Sequence, residues 1–149
     1  MNTLHFEDFE AGETFEFGTH TFTAEEIVAF AHQYDPQPFH VDEAAAEDSA
    51  FGGLIASGWH TSAIWMRLYV DALLGRAASM GSPGLDELRW LKPVRPGDTL
   101  SASLTVLDTS PSKHRPDRGT IHFRGELRDD GGEVVLRMTG RGYFARRGR

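Results

Sequence analysis

The residues most able to do chemistry in this 149-residue chain lie in Asp35-Pro36-Gln37-Pro38-Phe39-His40. A carboxylate and an imidazole sit five positions apart on a segment stiffened by proline at 36 and 38. Proline fixes φ, so less entropy is lost in holding two side chains on one target. Such a pair can clamp a single water, one group accepting its proton while the other delivers a proton to substrate. Histidine suits the task because its unperturbed pKa, about 6.5, lies near working pH. The same residues also read as an Asp-Pro turn followed by a surface histidine, and residue types alone leave both readings open.

A second candidate is Ala56-Ser57-Gly58-Trp59-His60-Thr61, at the start of a long apolar segment. Free backbone N–H groups at a helix N-terminus carry partial positive charge. Glycine lets a ligand approach the backbone closely. An amide at Gly58 or Trp59 could therefore hold a carbonyl oxygen that becomes negative in a transition state. The alternative is an ordinary helix start with Ser57 as N-cap. Ser57 is not a hydrolase nucleophile, because the elbow motif needs glycine at position 55, which is Ile55. The seven histidines show no ligand spacing for a metal.

Composition narrows the field. Hydrophobic residues make up 40% and charged residues 25%, as in an ordinary folded domain, so one domain over 1–149 is expected. The net charge of -7 disfavours binding to bulk nucleic acid. The absence of cysteine excludes a disulfide scaffold, a thiol nucleophile and an iron–sulfur cluster. The N-terminus is acidic where a signal peptide would be basic, and no apolar run approaches the ~20 residues that span a bilayer. The expectation is a soluble cytoplasmic protein.

The elements that must position these residues follow from periodicity. Thr14 to Phe22 alternates as a strand, with Phe15 and Phe17 on one face. Thr23 and Glu26 match a capping box. Ile27, Phe30, Ala31 and Tyr34 then recur at helical spacing until Pro36 forces a stop near Asp35. Asp35 to His40 is expected to be non-helical, and Asp42 to Ser49 a short helix. From Ser57-Gly58, the positions Ile64, Trp65, Leu68, Tyr69, Ala72 and Leu73 mark a long helix, stopped at Gly75. Trp65 and Tyr69 read as packing residues. Leu85–Leu91, Thr99–Asp108, Thr120–Arg128 and Glu133–Ala145 then read as strands, the last two joined by the Asp129-Asp130-Gly131-Gly132 turn. Ser110 to Gly119 reads as an exposed connection, and Arg146 to Arg149 as a frayed tail. One long helix before an antiparallel meander gives an α+β domain with the helix wrapped by the sheet.

Asp-(four residues)-His after a capped helix, with a glycine at a helix start 18 residues beyond the histidine, resembles the MaoC-like dehydratases and (R)-specific enoyl-CoA hydratases. The stretches Gly52-Gly53-Leu54-Ile55-Ala56-Ser57-Gly58 and Lys92-Pro93-Val94-Arg95-Pro96-Gly97-Asp98 also have places in that family. The resemblance implies a hotdog fold and reversible addition of water to an enoyl thioester of coenzyme A or a carrier protein, with no cofactor. By analogy, Asp35 and His40 bind the water, Asp35 as base and His40 as proton donor or the reverse, and the Gly58 N–H polarises the carbonyl. Ser57, where histidine is common, and the bulky Trp59 flank the substrate. The serine that often supports such a site falls nearest Met66, leaving Thr61 or Ser62 to deputise. Arg89, Lys92 and Arg95 are candidates to meet coenzyme A phosphates, with surface charge as the alternative. Such domains usually pair, so a homodimer or larger homo-oligomer is expected. Two rivals remain: a thioesterase, for which Asp71 is the helical carboxylate, and a non-enzymatic thioester binder. Asp71 lies late in the helix and reads as solvated or subunit-facing.

Overall fold

The strands β1 (Thr14–Thr21), β2 (Gly84–Trp90), β3 (Thr99–Pro111), β4 (Arg118–Arg128) and β5 (Val134–Ala145) form one antiparallel sheet in the order β1-β3-β4-β5-β2. The computed structural model describes residues 3–148. Period-two alternation decides the inner face: Leu100, Leu104, Ile121, Phe123, Leu136 and Met138 all point inward and are buried. They close around the long helix α4 (Gly58–Ala72). Its Trp65 stacks on Phe123 at 5.9 Å, and the indole N–H donates to the Ser103 carbonyl at 3.0 Å. Gly125 makes that docking possible, since a Cβ there would lie 2.5 Å from the Trp65 ring. Trp65 and Tyr69 are thus core residues.

Three short helices precede α4. α1 (Ala24–Tyr34) opens with the expected capping box: the Glu26 N–H donates to Thr23 Oγ1 at 3.1 Å, and the Thr23 N–H to Glu26 Oε1 at 2.9 Å. α3 (Glu43–Glu47) is capped by Asp42. Between them, Pro38–Val41 forms one helical turn, α2, which corrects the expectation that the Asp35–His40 segment holds no helix. Pro38 occupies the first helical position, where its missing N–H would have had no partner.

Other departures share a cause in long-range pairing. β3 and β4 extend into the stretch read as a connection, with Ser110 opposite Thr120 and Pro111 opposite Gly119. Proline is tolerated there because it ends the strand. Gly75 is not the helix stop: α4 ends at Ala72, and Leu74–Arg76 form a 3₁₀ turn. The basic tail is tied down as far as Arg147, with Arg146 on Glu7 at 3.4 Å and Arg147 on Asp8 at 2.5 Å, while Arg149 lies outside the described residues. Among the described residues, no helix is long and apolar enough to cross a membrane.

Candidate active site

Asp35 is the C-cap of α1, its N–H donating to the Ala31 carbonyl at 2.8 Å. The single turn of α2 then brings His40 back toward it, so that His40 Nε2 lies 3.4 Å from Asp35 Oδ2. His40 is buried, and its Nδ1 lies 2.6 Å from the Ile55 carbonyl oxygen. A carbonyl only accepts, so Nδ1 carries the proton and the neutral ring offers Nε2 as the basic nitrogen. The Phe39 ring stands edge-on to the imidazole at 4.5 Å, limiting its rotation.

The carboxylate is held as firmly. Ser57 Oγ donates to Asp35 Oδ2 at 2.7 Å, and Gln37 Nε2 donates to Oδ1 at 2.7 Å. Partial burial pushes the Asp35 pKa up, but the bonds from Gln37 and Ser57 and the nearby His40 outweigh it. The net shift is below the ordinary carboxylate value. Ser57 works in two directions. As N-cap of α4 it accepts from the Trp59 N–H at 3.3 Å, and it donates to Asp35. The cap thereby fixes α4 to the end of α1.

Gly58 opens α4, and its amide has no hydrogen-bond partner among the described residues. A Cβ on Gly58 would lie 2.4 Å from the Trp90 indole, so glycine is needed for that ring to cover the first helical turn. Asp35, His40, Gly58, Trp59 and Trp90 line one cleft of about 390 Å³. A carboxylate, an imidazole nitrogen and a helix-terminal amide thus share a space large enough for a small ligand. Such a set can hold a water, move its proton and stabilise a developing oxyanion.

The remaining sequence candidates are less concentrated. Trp59 lines the cleft but is 59% exposed, meeting Trp90 edge-on at 5.1 Å. Lys92 lies at the rim, its ammonium bound to Asp129 at 2.6 Å and Glu133 at 3.3 Å. Arg95 donates to the Phe51 carbonyl at 2.6 Å. Arg89 pairs with Glu87 on β2 and does not line the cleft. The three cations are therefore not gathered on one point. Thr61 and Ser62 give their hydroxyl protons to the Ser57 and Gly58 carbonyls, at 3.2 and 2.9 Å. Met66 is exposed. Asp71 is solvated and paired with Arg67 at 2.8 Å, away from the cleft. No group of three or more His, Cys, Asp or Glu able to hold a metal occurs among the described residues.

Gln37, the Ile55 carbonyl and Trp90 escaped the sequence reading. Gln37 carries a signal, since an amide two positions beyond an aspartate and framed by prolines is well placed to reach back to it. The other two reach the site only through tertiary packing.

Comparison with known proteins gives a consistent picture. Residues 8–122 match the family described as MaoC like domain. A crystal structure of the MaoC-like dehydratase from Rhodospirillum rubrum is 47% identical, with a TM-score of 0.90, covering 98% of this chain and 99% of that one. The (R)-specific enoyl-CoA hydratase of Rhodospirillum rubrum is 31% identical over 114 residues, 73% of this chain and 74% of that protein. At 18% identity, a Mycobacterium tuberculosis protein with a double hotdog fold superposes with a TM-score of 0.81, over 98% of this chain and 45% of its own.

Proposed function

This chain belongs to the MaoC-like domain family, a hotdog-fold hydratase and dehydratase lineage, and on that premise we propose that it adds water to, and removes it from, the double bond of an enoyl thioester. The observation that carries the reading is the convergence of His40 Nε2 and Asp35 Oδ2 at 3.4 Å, in one cleft with the free amide of Gly58.

In the hydration direction, a water held between the two side chains gives a proton to His40 Nε2. Its oxygen bonds to the β-carbon, and the π electrons move toward the thioester carbonyl oxygen, to which the Gly58 N–H donates a hydrogen bond. The imidazolium, stabilised by the Asp35 carboxylate, returns the proton to the α-carbon. The components of one water are thereby added. Dehydration runs the same steps backwards. This gives His40 the base role that the sequence reading assigned first to Asp35. The Nδ1–H bond to Ile55 leaves Nε2 basic, whereas Asp35 already accepts two hydrogen bonds and has a lowered pKa.

A second copy of the chain belongs to the proposal. β2 is an edge strand, and Leu85, Trp90, Leu91 and nearby Met66 are exposed apolar groups along it and α4. An unpaired edge with an apolar border favours association with another strand. Light scattering giving twice the monomer mass supports this, and a monomer at assay concentration removes it.

The deciding assay uses crotonyl-CoA. Loss of the conjugated absorbance without thiol release establishes the hydratase. Thiol release from a saturated acyl-CoA would replace it with a thioesterase. Thermal stabilisation by acyl-CoA without turnover would replace it with a binding protein.

A further inference from the structure

Outside the cleft, the charge of this chain is unevenly spread. β4 and β5 together carry five arginines, Arg118, Arg124, Arg128, Arg137 and Arg141, and one acidic residue, Glu126. The chain as a whole has a net charge of -7. The alternation that turns Phe123, Leu127 and Met138 inward turns Arg124, Glu126 and Arg137 onto the outer face of the sheet. Outer strand positions ordinarily meet solvent, yet Glu126 is only 5% exposed, because arginines cover it. Arg128 donates to its Oε1 at 2.9 Å and Arg137 to its Oε2 at 2.8 Å, and Arg124 Nε stands 4.0 Å from Oε2. Burial pushes the Glu126 pKa up, but the bonds from Arg137 and Arg128 outweigh it, and the net shift is downward.

A buried carboxylate of this kind is a poor source of stability, since desolvation offsets most of the attraction. What it supplies is order: it gathers three guanidinium groups while their side chains stay 39% to 45% exposed. Arg128 is braced a second time, on the Gly132 carbonyl at 3.0 Å. Arg124 Nε has no hydrogen-bond partner among the described residues. Three cations about one anion leave an excess of positive charge, spread over ~13 Å of β4 from Arg124 to Arg128 at ~3.3 Å per residue. The platform adjoins the cleft. Arg137 pairs with Arg89 and Leu136 with Trp90 across β5 and β2, and Arg128 lies opposite Val134. Trp90, Leu91 and Val135 line the cleft, whereas Arg124, Arg128 and Arg137 do not.

We propose that this arginine platform docks an acidic carrier protein, which presents the acyl thioester to the cleft on a flexible arm. The proposal rests on the hydratase reading above and names the form in which the substrate arrives. Guanidinium groups fixed beforehand receive carboxylates in pairs of hydrogen bonds and lose little further freedom on binding. The rest of the chain is net negative, with Asp42, Glu43, Glu47 and Asp48 all exposed around α3. An acidic partner is therefore repelled elsewhere and steered to this face. The occupant is a protein rather than coenzyme A itself because small-ligand sites are concave. These arginines stand on the outside of a sheet, over a width that suits several carboxylates.

The experiment compares kcat/KM for a crotonyl group carried on an acyl carrier protein and on coenzyme A. Wild type is expected to favour the carrier substrate by at least about tenfold at low salt. That advantage should shrink at ~1 M salt, where the screening length is ~3 Å. Arg128→Glu should lower kcat/KM for the carrier substrate by at least about tenfold, chiefly through KM, and leave crotonyl-CoA within about twofold. Arg124→Gln removes one cation and breaks no hydrogen bond to Glu126. It should act in the same direction to a smaller extent, and it carries the test if Arg128→Glu does not fold. Hydration of crotonyl-CoA with no preference for the carrier, or equal losses on both substrates, would overturn the platform while leaving the hydratase standing. A fall in oligomeric mass in Arg128→Glu with unchanged carrier kinetics would assign the platform to a second copy of the chain and overturn the proposal. Hydration of neither substrate would overturn the hydratase reading and the platform with it.

Discussion

His40 and His60 are both buried imidazoles beside helix ends, yet their surroundings could hardly differ more. His40 has one nitrogen on the Ile55 carbonyl and the other facing the Asp35 carboxylate. His60 is stacked on Phe30 at 4.8 Å and meets Phe22 edge-on at 5.1 Å, and its Nδ1 is buried without a hydrogen-bond partner. Burial drives the His60 pKa down, against the raising influence of Glu26 and with the lowering influence of His20. The contrast teaches that burial alone does not equip a histidine for proton transfer. A ring becomes useful when one nitrogen is fixed as donor and the other meets a charge that can stabilise its protonated form.

The comparison breaks most easily on the side of His40, where the proposed chemistry lies. Asp35→Asn and His40→Gln are each expected to lower kcat for crotonyl-CoA hydration by at least ~100-fold. Wild-type-like turnover in either variant would reduce the pair to packing, on a par with His60. Ser57→Ala comes next. It removes a helix cap, costing about 1 kcal/mol of stability in denaturant titrations. It also removes one of the bonds that hold the Asp35 pKa down, so the acid limb of the pH–rate profile should move to higher pH. An unmoved limb would show that the Ser57 contact does not tune the carboxylate.

His60→Phe sharpens the other side. Activity should stay within about threefold of wild type, because His60 makes no polar contact with the pair. Its pKa in the folded protein is below the ordinary 6.5, so the folded state binds a proton less readily than the unfolded one. The stability from keeping it neutral is therefore present above pH 6.5 and lost as pH falls from there toward the depressed folded value. Melting temperatures of wild type and variant should diverge in favour of phenylalanine between pH 7.5 and about 5.5. A constant difference across that window would show that His60 does not carry the acid sensitivity. The smallest effect is expected at Asp71→Asn. Its exposed pair with Arg67, four positions away on the helix, is screened by water and contributes little, so the melting temperature should barely move and hydration should not change. Thiol release that depended on Asp71 would instead favour the thioesterase.

Much of this arrangement was legible before any coordinates. The alternation in Thr99–Asp108 and Thr120–Arg128 places Leu100, Leu104, Ile121 and Phe123 on the inner face, because the pleat leaves a strand no other choice. The Thr23–Glu26 capping box and Pro36 bracket α1, and so place Asp35 at its end. What stayed hidden depends on contacts between distant segments. Ser57 is 22 residues from the carboxylate it donates to, and the acceptor for His40 is a main-chain oxygen that carries no side-chain signature. The extension of β3 to Pro111 comes from the β4 ladder opposite, not from local propensity. Lys92 looked like a free cation because Asp129 and Glu133, which neutralise it, lie across a turn some forty residues on.

Gly125 has a reach that its place in the middle of a strand does not advertise. The missing methyl there lets one indole sink into the sheet, and that indole belongs to the same helix whose first residue shares a cleft with Asp35 and His40. The depth of a dent in β4 is thus the datum from which the alignment of the proposed site is measured. Evolution or an engineer could detune the chemistry by thickening the sheet at 125, without touching any residue that meets the substrate.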